Sequence, residues 1–349
     1  MDILEPDTVW VSGRRYRYFE SNFWSNEQTT PYEEHCQPEM NEITPETSEN
    51  DSIPIEEIDG GKFRHIVDIP SAFYGHIMGC QGATKKKLEM ETKTTVRVPY
   101  KNSSDPLTIT GVTARDIISC RNRMDLLVEK AKIKMPPTHF VSIPLNTEEI
   151  IQSYERFRER IVNDPDFKNM RIDEKMFVKP TTLHVTIGML LLLDEKTTKE
   201  AADVLNECVE TIVKPIIKGL SKPLVVKIQG VDCMNDDPEK VTVVYGTIPT
   251  NETLQEMANK IFQFFIQKQL MKVTYTENVK LHMTLIKSSK VVPIDQRRGS
   301  RKIDFNAREI LSTFKDYNFG EMELKHLEIC HRHSKNDDGS YKTIAKVEL

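Results

Sequence analysis

From Phe63 onward the spacing of apolar residues changes period several times, and each change predicts an element. Phe63 to Ile69 alternates with period two, as a half-buried strand does. Ser71 is placed to cap a short helix, Ala83 to Glu91 reads as a basic helix, and Thr94 to Val98 and Leu107 to Thr110 return to strand spacing. Thr113 to Lys134 predicts a long amphipathic helix. Met135-Pro136-Pro137 ends it, because proline has no N–H to continue the helix and pushes the residue before it toward extended backbone. The prolines therefore mark a domain boundary.

Beyond them strands and helices alternate. Strand His139 to Pro144, helix Thr147 to Val162, strand Thr182 to Leu192, helix Thr197 to Ile217 and strands Leu224 to Val231 and Lys240 to Ile248 form one run. Helix Glu252 to Lys268, strand Val279 to Ile286, helix Ala307 to Phe314 and strands Glu323 to His331 and Lys342 to Val347 form a second. The runs read as two similar lobes. Antiparallel sheets flanked by helices are expected, an α+β arrangement, although the pattern alone is also compatible with parallel pairing.

Before Phe63 the pattern fails. Ser21 to Asp59 is rich in Glu, Asn, Ser, Thr and Pro, has no Lys or Arg, and shows no period, so disorder is expected there. Val9 to Phe19 clusters aromatic and basic residues. It predicts either a docking segment that orders on a partner, with Trp10, Arg14, Arg15 and Tyr16 as its contacts, or an edge strand on the chain's own body. The expected organisation is a docking segment (1–20), an acidic disordered linker (21–60), a small α+β domain (61–135) and a larger domain (136–349).

Charge sharpens this division. The net charge of -5 hides two opposite parts: residues 1–60 carry 15 acids and three arginines, leaving the remainder at +7. A mildly basic body suits a partner with a phosphate backbone. The hydrophobic content of 38% and charged content of 29% are those of a globular protein, and no apolar run is long enough to span a bilayer. Met1 to Trp10 carries acids where an export signal needs a basic start and an apolar stretch. Six cysteines lie far apart without zinc-finger spacing, which fits free thiols in a reducing compartment.

The chemistry centres on two matched segments. Leu183-His184-Val185-Thr186-Ile187 and Leu281-His282-Met283-Thr284-Leu285 share one pattern, apolar-His-apolar-Thr-apolar, once in each lobe. In a strand, His184 and Thr186 share a face, as do His282 and Thr284. A histidine pair can deprotonate an attacking hydroxyl and protonate a leaving oxygen at a phosphodiester, while threonine hydroxyls orient the non-bridging oxygens. For one such strand a satisfied, half-buried histidine is the simpler reading, but a matched pair favours chemistry. No carboxylate-rich set for magnesium and no zinc-spaced third ligand accompanies either motif, so neither metal nor cofactor is expected. Asp236, Asp237 and Glu239 read as a turn, and His326, His331 and His333 as residues of a strand and its exit.

On these residues the segment from Pro137 to Leu349 resembles the 2H phosphoesterase superfamily, whose members carry two HxT/S motifs facing each other across a pseudo-twofold cleft. The resemblance implies a two-lobed, LigT-like fold, metal-independent action on RNA ends, cyclic phosphates or 2′-5′ linkages, and His184, Thr186, His282 and Thr284 as the catalytic set. Which histidine is base and which acid stays open.

Ile77-Met78-Gly79-Cys80-Gln81-Gly82, set between two predicted helices and followed by Lys85-Lys86-Lys87, resembles the GxxG loop of KH domains. Such a loop clamps the backbone of about four unpaired nucleotides. The resemblance implies single-stranded RNA, or single-stranded DNA, as partner, with Ile77, Gly79, Cys80, Gln81, Gly82, Lys85 and Lys86 as contacts. Cys80 and Gln81 stand where many such loops carry a basic residue. A structural or protein-contact role is the alternative.

The order of the two domains, with the phrases Lys86 to Thr94, Lys179 to Leu190 and Met234 to Pro238, resembles a family of transcription-coactivator subunits. That resemblance implies a nuclear protein acting with a helicase subunit in coactivation and alkylation-damage repair, and makes Trp10 to Phe19 the helicase-docking piece. Two readings follow: an RNA phosphodiesterase, or a non-catalytic subunit that uses the two-histidine cleft to recognise an RNA end.

Overall fold

The computed structural model describes residues 8–11, 14–17, 53–100, 105–271, 278–291 and 303–349. The chain divides into two compact units, Met1–Met135 and Pro136–Leu349. Most of the stretch expected to be disordered lies outside the described residues.

In the first unit, β1 (Thr8–Val11) and β2 (Arg14–Arg17) pair with each other as an antiparallel hairpin, Trp10 opposite Arg15 and Val9 opposite Tyr16. The segment is thus its own two-stranded ribbon and not an edge strand of a larger sheet. Then come β3 (Glu56–Ile58), β4 (Lys62–Val67), α1 (Tyr74–Met78), α2 (Ala83–Thr92), β5 (Thr94–Arg97), β6 (Leu107–Gly111) and α3 (Ala114–Lys134). The strands form one antiparallel sheet in the order β3-β4-β6-β5. Val67, Phe73, Ile77, Leu88, Val96, Ile109, Ile117 and Met124 are buried, so the helices pack their apolar stripes on one core.

Two expectations need correction. Disorder does not extend through Glu56–Ile58, which pairs with β4. The buried His65 explains this: its Nδ1 donates to the Pro54 carbonyl at 2.8 Å, and Arg64 pairs with Glu56 at 2.8 Å. Ser71 does not cap a helix either. It opens a 3-10 turn whose preceding residue is Pro70, with no side-chain cap, and Phe73 N–H donates to the Pro70 carbonyl at 3.0 Å.

The second unit contains β7 (His139–Pro144), α4 (Glu148–Asn163), β8 (His184–Leu190), α5 (Glu195–Cys208), α6 (Lys214–Lys218), β9 (Val225–Gln229), β10 (Val231–Cys233) and β11 (Val243–Thr247). It continues with α7 (Glu252–Gln267), β12 (His282–Lys287), α8 (Arg308–Thr313), β13 (Asn318–Glu323), β14 (His326–Lys335) and β15 (Tyr341–Glu348). Seven strands make one antiparallel sheet in the order β10-β11-β12-β8-β7-β14-β15, and β13 pairs separately with β9. Helices pack around them, α4 on β13, α5 on β15 and α7 on β8. Among the described residues no helix is long and apolar enough to cross a membrane.

The lobes do not follow chain order. The carboxy-terminal hairpin β14–β15 returns to pair with β7 in the first lobe. The strand expected from Leu224 to Val231 is split at Gly230, where φ is +90° and a Cβ would sit 2.6 Å from the Lys315 carbonyl oxygen. This break sends β9 to β13 and β10 to the main sheet. The helix expected from Thr197 to Ile217 contains a π turn over Val209–Val213, between α5 and α6.

The two HxT strands carry the same irregularity. In β8, Thr186 pairs with Ser142 and Gly188 with Val141, leaving Ile187 as a bulge. In β12, Thr284 pairs with Tyr245 and Ile286 with Val244, leaving Leu285 as a bulge. An extra residue shifts the pleat by one. The Leu285 carbonyl freed by the bulge accepts the Val178 N–H at 3.0 Å, and the fully buried Tyr154 sets its hydroxyl between the carbonyls of Val178 (2.7 Å) and Leu285 (3.2 Å). Tyr154→Phe removes the hydroxyl donor shared by these two carbonyls, and urea unfolding is expected to show a loss of about 1–2 kcal/mol.

Candidate active site

The middle of the seven-stranded sheet is the contact of β8 with β12, registered at Val185 opposite Met283. The strands run antiparallel, so His184 faces Thr284 across the junction and Thr186 faces His282. The four polar side chains form one patch, while Val185, Ile187, Met283 and Leu285 point into the core. The histidines are diagonal neighbours across this junction, a separation of roughly 7–8 Å between backbone positions.

Each ring is oriented in the same way. His184 Nδ1 lies 2.7 Å from the Thr182 carbonyl, and His282 Nδ1 lies 2.7 Å from the Lys280 carbonyl, in both cases the residue two positions earlier. A carbonyl can only accept, so Nδ1 carries the proton and Nε2 of the neutral ring is left as an acceptor. Phe140 stacks on His184 with centroids 4.7 Å apart, and Tyr341 meets it edge-on at 5.4 Å. On the other side Tyr245 meets His282 at 5.3 Å, donates its hydroxyl to Asp232 at 2.9 Å, and lies under the Lys280 ammonium.

Burial pushes the His184 pKa down to about 4; the bond to Thr182 opposes this, while His282, Lys335 and Lys287 add to it. His282 is lowered too, first by burial and then by Lys280 and Lys287, against its own backbone bond. Both rings are therefore neutral at neutral pH. An anion between them reverses the balance.

The positive charge near His184 was not singled out from sequence. Lys179 precedes β8, Lys287 ends β12, Lys290 closes the next turn and Lys335 ends β14. The bulge at Leu285 puts Lys287 in phase with His282 and Thr284, a consequence of pairing that spacing along the chain does not reveal. Phe140, Tyr245 and Tyr341 were missed for the same reason. The pair Lys287 and Lys290, directly after the second motif, was the available signal.

The GxxG loop forms in the first unit. Gly79 has φ +68°, and a Cβ there would lie 2.7 Å from the Thr84 Cβ; Gly82 has φ +81°, and Gln81 is held at φ +50°. Cys80, Gln81 and Lys86 are exposed, whereas Lys85 pairs with Glu89 at 3.4 Å. Ile77 is fully buried, so it anchors α1 in the core and has no face to offer a ligand. The side chains of Trp10, Arg14, Arg15 and Tyr16 lie outside what is described. Among the described residues no three His, Cys, Asp or Glu side chains are grouped to hold a metal ion. His139 and His331 do meet edge-on at 4.6 Å, and burial holds His139 at about 4.

Comparison with known proteins assigns these parts. Residues 137–349 match the AKAP7 2′5′ RNA ligase-like domain, and residues 64–125 match the KH domain. Mouse activating signal cointegrator 1 complex subunit 1 is 31% identical over 366 aligned residues that cover all of both chains. This chain belongs to the activating signal cointegrator 1 complex subunit 1 family. Human A-kinase anchor protein 7 isoform gamma is 27% identical over 61% of this chain and 57% of its own. The crystal structure of E. coli LigT in apo form aligns over 62% of this chain and 99% of its own, with a TM-score of 0.37 and 13% identity. The cointegrator-family chain is thus a KH domain, an RNA-binding fold, followed by a 2′5′ RNA ligase-like domain, an α+β architecture with antiparallel sheets.

In a histidine-detected NMR titration, His184 is expected to stay neutral down to about pH 4 and His282 to titrate below 6.5. Inorganic phosphate is expected to move both midpoints upward, since an anion favours the charged ring.

Proposed function

We propose that the two-histidine cleft cleaves RNA phosphodiester bonds without a metal, and that the KH domain supplies the strand. The reading rests chiefly on the matched Nδ1 anchors of His184 and His282, which leave two Nε2 atoms for one phosphate.

In the forward step His184 Nε2 takes the proton of the ribose 2′-hydroxyl, whose oxygen bonds to phosphorus. The bond from phosphorus to the 5′-oxygen breaks, and protonated His282 gives its proton to that oxygen. The products are a 2′,3′-cyclic phosphate and a 5′-hydroxyl. Water then opens the ring with the roles exchanged, which returns both histidines to their starting states. His184 is assigned as first base because burial and the charges of Lys335 and Lys287 disfavour its cation. Thr186 and Thr284 hydrogen-bond the non-bridging oxygens and keep the phosphate in line.

The KH loop, with Gly79, Cys80, Gln81, Gly82 and the exposed Lys86, grips single-stranded RNA through backbone N–H groups and positive potential. The likeness to a subunit of the activating signal cointegrator 1 complex supports the further reading that the protein works in such a complex in the nucleus, in transcription coactivation and alkylation-damage repair. The hairpin bearing Trp10, Arg14, Arg15 and Tyr16 docks on the helicase subunit.

Purified protein is expected to cleave short RNA in EDTA, and His184→Ala or His282→Ala to slow this by about 10²–10⁴-fold with unchanged melting. The pH profile of kcat/KM is expected to be a bell centred on the acid side of 6.5, because both free-protein pKa values are lowered. Bound but intact RNA after long incubation contradicts the enzyme and supports recognition of an RNA end.

A further inference from the structure

Lys287 and Lys335 lie close enough to His184 to act on its charge, and Lys179 and Lys290, from elements far apart in sequence, lie close to Lys335. Lys290 Nζ donates to the Phe177 carbonyl at 3.0 Å, which fixes it over the segment leading into β8. Lys335 lies over the Tyr341 ring, 3.0 Å from its centroid, and Tyr341 in turn meets His184. Lys179 lies along the β14–β15 turn, its Nζ 3.3 Å from where a Cβ on Gly339 would be. Lys287 is on the His282 and Thr284 side of β12, as the bulge requires. Lys179, Lys290 and Lys335 keep part of their surface open to solvent while their ammonium ends are partly covered in the case of Lys290 and Lys335, and among the described residues none of the three makes an ion pair with a carboxylate.

The fold thus gathers four like charges toward the His184 end of the cleft, while the Tyr245 end has Lys280 over the ring and the Asp232 carboxylate beside it. Like charges brought together in a partly desolvated place disfavour one another. Burial, with Lys290 and Lys179, lowers Lys335 to about 8, and burial, with Lys179 and Lys287, lowers Lys290. The cost is removed by an anion that all of them reach. The scissile phosphate belongs between the histidines, so the anion here is a second one.

We propose that Lys179, Lys287, Lys290 and Lys335 form a subsite for a second phosphate of the same nucleic-acid strand, one nucleotide from the phosphate held by His184 and His282. It makes the cleft a reader of strand phosphates and not only of a single phosphate group. Two sources share this chemistry, a terminal phosphomonoester and an internal phosphodiester. The inference rests on the proposed cleft for its first phosphate but not on turnover.

The test uses the full chain and ligands too short to occupy the KH groove, without the 2′-hydroxyl needed for cleavage. Calorimetry compares deoxycytidine 3′-monophosphate, deoxycytidine 3′,5′-bisphosphate and the dinucleotide dTpdCp, while NMR of His184 and His282 reports that the cleft is filled. The second phosphate is expected to tighten binding by about five-fold or more, through charge-assisted contacts, in the unaltered protein. Lys290→Gln with Lys335→Gln is expected to reduce that gain to under about two-fold while the monophosphate still shifts the histidines. A gain for the bisphosphate alone assigns a terminal phosphate, and a gain for both ligands assigns an internal one. Equal affinities for all three ligands in the unaltered protein, or a gain that survives in the variant, overturns the subsite. Because no ligand reacts, failure of RNA cleavage leaves these outcomes unchanged.

Discussion

The site depends on one strand contact, β8 against β12, registered at Val185 and Met283. A strand pair with one buried face tolerates no slip, because a shift of one residue turns every side chain to the other side. Here a slip carries His184 and Thr186 into the core and Val185 to the surface. The apolar residues that frame each motif hold the chemistry in place. Burial of Val185, Ile187, Met283 and Leu285 is what presents the two histidines together.

The antiparallel sense of that contact then determines the division of labour. Two strands of the same pattern, paired antiparallel, put each histidine opposite the other strand's threonine, so either imidazole can act as acid or base. The surroundings break the symmetry. Phe140, Tyr341 and the lysine group crowd His184, while Tyr245, tied to Asp232, covers His282. The more desolvated ring, amid positive charge, stays neutral and suits proton removal. The same lysines attract the strand that brings the phosphate.

Much of this was legible in the sequence because it is written in short-range periodicity. The HxT frames, the long helix ending at Met135 and the GxxG between helices are local patterns, and the structure forms each of them. What was not legible depends on which strands meet. Nothing in the spacing of Glu323 to His331 says that the chain breaks there into β13 and β14, or that β14 joins β7 rather than the second lobe. The strand Glu56–Ile58 hides in an acidic stretch because its order comes from His65 and Arg64, not from its own residues. Ile77 was expected beside a ligand because it adjoins the loop, but helical spacing turns it into the core. The phase of Lys287 depends on the bulge at Leu285, which only the register with β11 reveals.

The most direct measurement is a crystal structure of the protein bound to a short RNA analogue that lacks the 2′-hydroxyl at the cleavage position. If the two strands place their histidines on a single phosphorus, Nε2 of His184 and Nε2 of His282 each lie about 2.6–3.2 Å from oxygens of the same phosphate. A phosphate held by only one of the two rings, or by neither while the site is otherwise filled, contradicts the account.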